Sequence, residues 1–391
     1  MLDFDFYSPT RILFGRGKHK EAGALVAPLA KKVLLHYGGG SLKRSGIYKE
    51  ITSSLRENGV GFVELGGVVP NPRLSLVRAG VELCRSEGVD LILAAGGGSV
   101  IDSAKAIAMG ACHDEDVWDF FEGNASAKNA LPLAVVLTIP AAGSESSPVS
   151  VISNEEKKLK IGYHCDLLRP FASVVNPELF FTLPKNQIAN GVADMMSHIF
   201  ERYFTNTAHT DLTDGLCEAA LRTIIKNAPL LMDDQRNYDA WAEIAFSSTL
   251  AHNGLLGMGR EEDWASHRIE HQLSAVYDIA HGAGLAVIIP FWMEYVCGDN
   301  AGMFAQFAMN VMGAAPSRDI EGLAAEGIAR LRAFFSRLGL PSSLCDFGID
   351  GRDFEFMAKN ATGAAFGAEK PLGGLKKLLW QDVLEIYRLA V

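Results

Sequence analysis

The sequence predicts two dissimilar parts, an α/β domain built on a parallel sheet followed by an all-α domain. Three observations carry this. Up to about residue 182, short apolar β-like runs alternate with stretches of helical period, the rhythm of parallel strands joined by crossover helices. Beyond Thr182-Leu-Pro184 the helical period recurs almost alone. A chain of 391 residues also suits two domains better than one. The expected division is 1–184 and 185–391.

In order, Arg11-Ile-Leu-Phe-Gly15 reads as an edge strand after Pro9, and residues 33–37 as a buried strand ended by Gly38-Gly-Gly40. Residues 61–65 form the next strand, and residues 91–95 another, ended by Gly96-Gly-Gly98. Residues 133–137, 149–152 and 172–175 continue the series. Helices are expected over 185–206, 211–229, 239–256 and 264–277, with several more from 301 onwards. Gly257-Met-Gly-Arg260 is a breaker between two of them.

Composition excludes several classes. Hydrophobic residues make up 48% and charged residues 21%, as in a soluble globular protein. A net charge of -10 disfavours nucleic acid and anionic membranes as partners. The six cysteines are scattered with no Cys-x-x-Cys, so neither a disulfide framework nor a cysteine zinc site is expected. The acidic opening Met1-Leu-Asp-Phe-Asp-Phe6 does not read as a signal peptide. No apolar run reaches the length of about 18 residues that a membrane span needs. A cytoplasmic protein is expected.

The glycine clusters Gly38-Gly-Gly-Ser41 and Gly96-Gly-Gly-Ser99 each follow a buried strand and precede a helix. Ligands of α/β sheets bind at such places, outside the carboxyl ends of the strands. Glycine lets backbone N–H groups approach a phosphate there. Read alone, the clusters are either tight turns or a dinucleotide site; neither is Gly-x-Gly-x-x-Gly or a P-loop. Ser99 is expected to cap the helix that carries Asp102 and Lys105. The loop Thr138-Ile-Pro-Ala-Ala-Gly-Ser-Glu-Ser-Ser147 is either an ordinary hydroxyl-rich loop or a third contact to the same ligand.

In the helical half, three of the ten histidines fall within Trp264-Ala-Ser-His-Arg-Ile-Glu-His-Gln-Leu-Ser-Ala-Val-Tyr-Asp-Ile-Ala-His281. Ala265, Ile269, Leu273 and Val276 make the apolar stripe of this helix. His267 and His271, four apart, are expected to stack on another face, with His281 just past the helix end. Asp194 and His198 are a second pair at the same spacing. One Asp with three His suits a divalent ion of borderline softness, Zn²⁺ or Fe²⁺ rather than Mg²⁺ or Ca²⁺. Phe120, Phe121, Asn124, Phe291 and Trp292 are candidates for an apolar pocket or for plain core.

These motifs resemble those of the iron-containing (group III) alcohol dehydrogenases. Gly96-Gly-Gly-Ser-Val-Ile-Asp102-Ser-Ala-Lys105 is similar to that family's Gly-Gly-Gly-Ser-x-x-Asp-x-x-Lys signature. Asp194-x-x-x-His198, His267-x-x-x-His271 and His281 resemble its metal set. Pro9-Thr-Arg-Ile-Leu-Phe-Gly15, Val69-Pro-Asn-Pro72 and Thr182-Leu-Pro184 agree as well, and the Asp-Trp-Ala-x-His-Arg-Ile-Glu-His pattern resembles the butanol dehydrogenase and broad aldehyde reductase branch.

The resemblance implies a dinucleotide-binding α/β domain, an all-helical metal domain of dehydroquinate synthase-like architecture, and a cleft between them. It implies that Asp194, His198, His267 and His281 hold one Fe²⁺ or Zn²⁺ ion, and that His271 stands near substrate as at most a proton relay. Gly97, Gly98 and Ser99 would take the pyrophosphate of NADP(H) or NAD(H). Gly38, Gly39, Gly40, Ser41, Asn71, Asp102, Thr138, Ser147, Lys160 and Leu183 would line the rest of the cofactor. The implied reaction passes hydride between NAD(P)(H) and a primary alcohol or aldehyde such as butanol or butanal, and the implied assembly is a homodimer with the N-terminal strand at its interface. No acid follows residues 33–37 until Glu50, while Ser41, Lys43 and Arg44 could meet a 2′-phosphate, so NADP(H) is expected to be accepted and preferred. Two alternatives stay open: a dehydroquinate synthase-like metal lyase, and a non-catalytic dinucleotide sensor. The first needs clustered Lys and Arg, and residues 250–285 offer Arg260 and Arg268 alone.

Overall fold

The computed structural model describes residues 1–391, apart from the side chain of Phe366. Its strands are β1 (Arg11–Phe14), β2 (Lys32–Tyr37), β3 (Gly61–Leu65), β4 (Leu91–Gly96), β5 (Leu133–Leu137), β6 (Val149–Asn154), β7 (Leu159–His164) and β8 (Ala172–Val175). Six of them form one sheet in the order β1-β8-β5-β4-β2-β3, every neighbour parallel. The inner strands β4, β5 and β8 are Leu-, Val- and Ala-rich and buried along their whole length, as strands covered on both faces must be. The edge strands β1 and β3 are half-buried at best.

The strand order places the two glycine clusters. After β2 the chain steps outward to β3, then returns to the other side of β2 for β4. The direction of winding reverses between β2 and β4, and there a crevice opens at the carboxyl ends. Tyr37 pairs with Ala95 in register, so Gly38–Gly40 and Gly96–Gly98 emerge side by side at that crevice.

Residues 149–152, expected as a further strand of the series, instead form a separate antiparallel hairpin with β7. Lys158, at φ 51°, stands in the turn of that hairpin. The polar run Glu155-Glu-Lys-Lys158 is the signal of this turn, and it hid β7 from the pattern of apolar runs. Ser99 does not cap its helix. In α1 (Gly98–Gly110) the cap position is Gly97, and Ser99 lies inside the first turn.

The chain divides into two compact units, Tyr7–Leu183 and Pro184–Val391 together with Met1–Phe6. The first six residues therefore belong with the helices. The Met1 ammonium donates to the Ala208 carbonyl (2.7 Å) and Leu2 N donates to the Gly259 carbonyl (2.8 Å).

In the helical unit, α2 (Lys185–Tyr203) is central and buried continuously from Gly191 to Tyr203. Against it pack α3 (Asp211–Asp233), α4 (Tyr238–His252), α5 (Ala265–Tyr277) and α6 (His281–Val296). Asp278, in the left-handed region at φ 53°, ends α5, and α6 starts three residues later. His281, expected just past a helix, is thus the first residue of the next one. Two glycines and the internal Pro290 weaken the helical signal of α6, yet its run of buried residues holds it in place. Gly282 has a packing reason: a Cβ there would lie 2.0 Å from the Asn190 carbonyl oxygen, so only glycine lets α6 approach α2 this closely. Phe120, Phe121 and Trp292 are core; Trp292 packs on Phe204 and Phe304. Arg260 is buried, its two terminal nitrogens held by Asp214 (2.6 Å) and backbone carbonyls, so it offers no charge to a substrate.

Candidate metal centre and nucleotide turns

The centre is built from three helices. Helix α2 contributes Asp194 and His198 one turn apart, α5 contributes His267, and α6 contributes His281 at its first position. His198 Nε2 lies 3.4 Å and His281 Nε2 3.9 Å from Asp194 Oδ1. Ligand atoms of Asp194, His267 and His281 all lie within 4.8 Å of one another. The ring of His198 is 4.4 Å from that of His267. The structure therefore brings Asp194, His267 and His281 into one ligand group, with His198 beside it against Asp194 and His267.

These residues can be tested as a metal site. Asp194 Oδ1, His198 Nδ1 and His267 Nε2 are buried without a hydrogen-bond partner. Buried polar atoms are normally satisfied, because leaving one bare costs free energy. Bare Asp194 Oδ1 and His267 Nε2 in one ligand group with His281, and a bare His198 imidazole beside them, fit a divalent cation of borderline softness. Burial holds the His198 pKa well below its ordinary value, and the neighbouring His267, Arg202 and His281 charges push the same way. It stays neutral, as a ligand must.

Two carboxylates that the motif reading passed over complete the centre. Glu201, on α2, accepts from His267 Nδ1 (2.7 Å), His267 N (3.0 Å), Ser266 Oγ (2.5 Å) and Trp264 N (2.6 Å). It fills the role of a cap for α5, which has no cap from its own side chains. Burial alone would raise its pKa, but the donors from His267 and Ser266 outweigh it and the carboxyl stays ionised. Glu270, on α5, accepts from His281 Nδ1 and from Ser274 Oγ. A signal existed for both: each stands three residues after a candidate ligand, on the same helix face. His252, also passed over, lays its ring on His198 at 4.3 Å.

His271 is half-buried beside the cluster, its ring 5.4 Å from that of His281. Its ring meets that of His267 edge-on, 6.4 Å away at 87°, rather than stacking on it. Glu270, His271 and His281 are close enough to form a second ligand group. That group is the weaker one, because the Glu270 oxygens are already taken by His281 Nδ1 and Ser274 Oγ.

In the α/β unit, a Cβ at Gly96 or Gly97 would strike Val100 or Ile139, so those two glycines serve packing. Gly39 and Gly98 differ. A Cβ on Gly39 would meet nothing within 4 Å, and one on Gly98 only Ala142 at 3.9 Å. The space a side chain would fill is open there, as a phosphate cradle requires. Asp102 and Ser147 have partners within the protein. Asp102 accepts from Ser144 Oγ (2.5 Å) and Val151 N (3.0 Å). The fully buried Lys105 donates to Ser144, Ser147 Oγ (3.0 Å) and the Val149 carbonyl. Burial pulls the Lys105 pKa down to about 8. Together these bonds pin the 144–151 loop to α1. Thr138 N donates to the Gly96 carbonyl (3.0 Å), so that loop begins beside the second glycine turn. Lys160 Nζ donates to Asn71 Oδ1 (3.0 Å), with Asn71 in the left-handed region at φ 54°. Leu183 is buried and Ser41 exposed. Lys43 is not a free cation: it pairs with Glu64 (2.9 Å) over the rings of Tyr37 and Tyr48.

A buried carboxylate–imidazole centre and open glycine turns at a switch point fit a metal- and nucleotide-dependent enzyme. Comparison with known proteins makes this specific. Residues 9–177 match the model of iron-containing alcohol dehydrogenases, and residues 188–391 that of the Fe-containing alcohol dehydrogenase family, C-terminal. NADH-dependent butanol dehydrogenase A of Clostridium acetobutylicum is 44% identical over 389 residues, 99% of each chain. NADPH-dependent aldehyde reductase YqhD of Escherichia coli is 36% identical over 92% of each. A crystal structure of NADH-dependent butanol dehydrogenase A from Thermotoga maritima superposes with a TM-score of 0.96 at 41% identity, covering 100% of this chain and 99% of that one. The chain belongs to the iron-containing alcohol dehydrogenase family, in its butanol dehydrogenase and aldehyde reductase branch. It is an NAD(P)-dependent alcohol dehydrogenase that uses a divalent metal ion, and the lyase and sensor alternatives are not favoured.

Proposed function

We propose that this enzyme interconverts primary alcohols and aldehydes of the butanol class, with Asp194, His198, His267 and His281 as metal ligands, His271 as proton relay and the two glycine turns as cofactor cradle. The observation that carries the ligand set is the cluster of buried, partnerless donor atoms on Asp194, His198 and His267. The names of the butanol dehydrogenase and aldehyde reductase relatives support the substrate class and both nicotinamides.

When bound, the ion supplies a Lewis acid for the substrate oxygen and the nicotinamide supplies the hydride acceptor or donor. The residues do the rest. Asp194 presents the one anionic ligand, and burial keeps the His198 imidazole neutral. Glu201 and Glu270 occupy the Nδ1 positions of His267 and His281, so each ring presents Nε2. His271, half-buried, is placed to hold a proton at a ring nitrogen and pass it to solvent. A metal-scale shift of an oxygen acid from 15.7 to about 7 corresponds to roughly 12 kcal/mol. A positioned base gives about 3–5 kcal/mol. For an unactivated alcohol the ligand set is therefore the main catalytic element and His271 the minor one.

The domain division at about residue 184 belongs to the same proposal, as does a homodimer. Supporting the dimer are the exposed Met1, Leu2, Phe4, Phe6 and Tyr7, which lead into the open edge of β1. The six cysteines all stand free, which supports the cytoplasm. Metal analysis of the purified protein, with an aldehyde series assayed against NADH and NADPH, tests the function. A fully active preparation free of metal would sink it.

A further inference from the structure

Glu270 is wholly buried and accepts from Ser274 Oγ and from His281 Nδ1. A buried carboxylate is costly unless a positive charge compensates it. The imidazole of His281 bears positive charge only when protonated or when bound to a cation. Room for the carboxylate has been made on purpose: a Cβ on Gly284 would lie 2.7 Å from Glu270 Oε1 and 2.8 Å from its Cγ. So α6 is bare of side chain where the Glu270 arm crosses it, while its first residue receives the carboxylate. Glu201 makes the equivalent bond to His267 but also caps α5, which mixes two roles.

We propose that Glu270 is a positioning residue of the metal centre: it fixes His281 with Nδ1–H towards the carboxylate and Nε2 bare towards Asp194, and its charge makes that Nε2 a stronger donor to the ion. The assignment rests on the ligand set proposed above. It implies that the tightness of the ion is set partly by a residue that never touches it.

The test uses full-length protein stripped with a chelator and titrated with Co²⁺. The visible absorption of the bound ion and competition against a chelator give the Kd. Glu270→Gln keeps size and a hydrogen-bonding group but removes charge; Glu270→Ala removes both. The expected result is a Kd weakened about 10-fold in the first and between 10- and 100-fold in the second, with a changed Co²⁺ spectrum in both. Gly284→Ala, which crowds the carboxylate while leaving every donor in place, is expected to weaken Co²⁺ as well. A merely structural role would lower the melting temperature of the apo protein and leave Kd and spectrum as in wild type, and that result overturns the proposal. If wild-type protein takes up no stoichiometric Co²⁺, or His267→Ala binds it unchanged, the ligand set itself is wrong and the inference falls with it.

Discussion

At His267 two constraints meet. Its Nδ1 is held by Glu201 at 2.7 Å, and its Nε2 is buried without a partner. Replacing it with alanine removes a ligand and also strips a donor from the Glu201 carboxylate. His267→Ala is expected to lose stoichiometric metal and more than roughly 100-fold in activity; metal analysis with NAD(P)H-linked aldehyde reduction checks both. His271 is different in kind. Its ring lies beside His281 and is half-buried. His271→Ala is expected to keep one ion per chain while lowering kcat by roughly 100-fold and altering its pH profile. Loss of the ion in that variant would make His271 a ligand and displace one of the four.

At the scale of elements, the parallel sheet was legible because buried strands read as continuous apolar runs, and both glycine turns because they end such runs. The helices of 185–203, 211–233 and 265–277 were legible from their period. What stayed hidden is what tertiary contact decides. Helix α6 holds despite Gly282, Gly284 and Pro290 because α2 and Glu270 need the space the glycines leave. Glu201 and Glu270 looked like ordinary helix carboxylates until folding buried them against the histidines. Cofactor choice shows the same limit. Along the chain no acid follows β2 until Glu50, yet Glu64, on the neighbouring β3, reaches Tyr37 and Lys43 beside the first glycine turn. Lys43 is thereby spent, and Arg44, whose Nη1 lies 2.6 Å from where a Gly40 Cβ would be, is the cation left over the loop. Gly39 has open space and an ordinary backbone, so Gly39→Asp is tolerated sterically. We expect it to raise the kcat/KM ratio of NADH over NADPH about 10-fold through repulsion of the 2′-phosphate. Glu64→Gln, by releasing Lys43, is expected to move the ratio several-fold towards NADPH, roughly the size of one exposed charge contact. If neither substitution moves the ratio, the 2′-phosphate does not sit on this loop.

At the scale of the whole molecule, folding leaves a histidine that titrates far from its ordinary range, distant in sequence from every proposed ligand. His36, in β2, is fully buried. Its Nδ1 donates to the Leu65 carbonyl (2.9 Å), and its Nε2 accepts from Ser103 Oγ (2.9 Å), which ties β2 to β3 and to α1. Burial lowers its pKa to about 4, against a small opposing effect of the Leu65 bond. The sign follows from proton uptake. Above pH 6.5 the ring is neutral in both native and unfolded chains, and stability does not depend on it. As pH falls from about 6.5 to about 4, the unfolded chain binds a proton that the native ring refuses, so native stability declines across that window and no further below it. At about 1.4 kcal/mol per unit, the loss amounts to roughly 3 kcal/mol. Urea denaturation of wild type and of His36→Gln, at pH 7.5 and at about pH 4.5, isolates this contribution, because the other titrating groups cancel in the difference. The variant is expected to be less stable at neutral pH and to lose less on acidification. Equal losses in the two proteins would show that His36 takes up its proton in the folded sheet without cost.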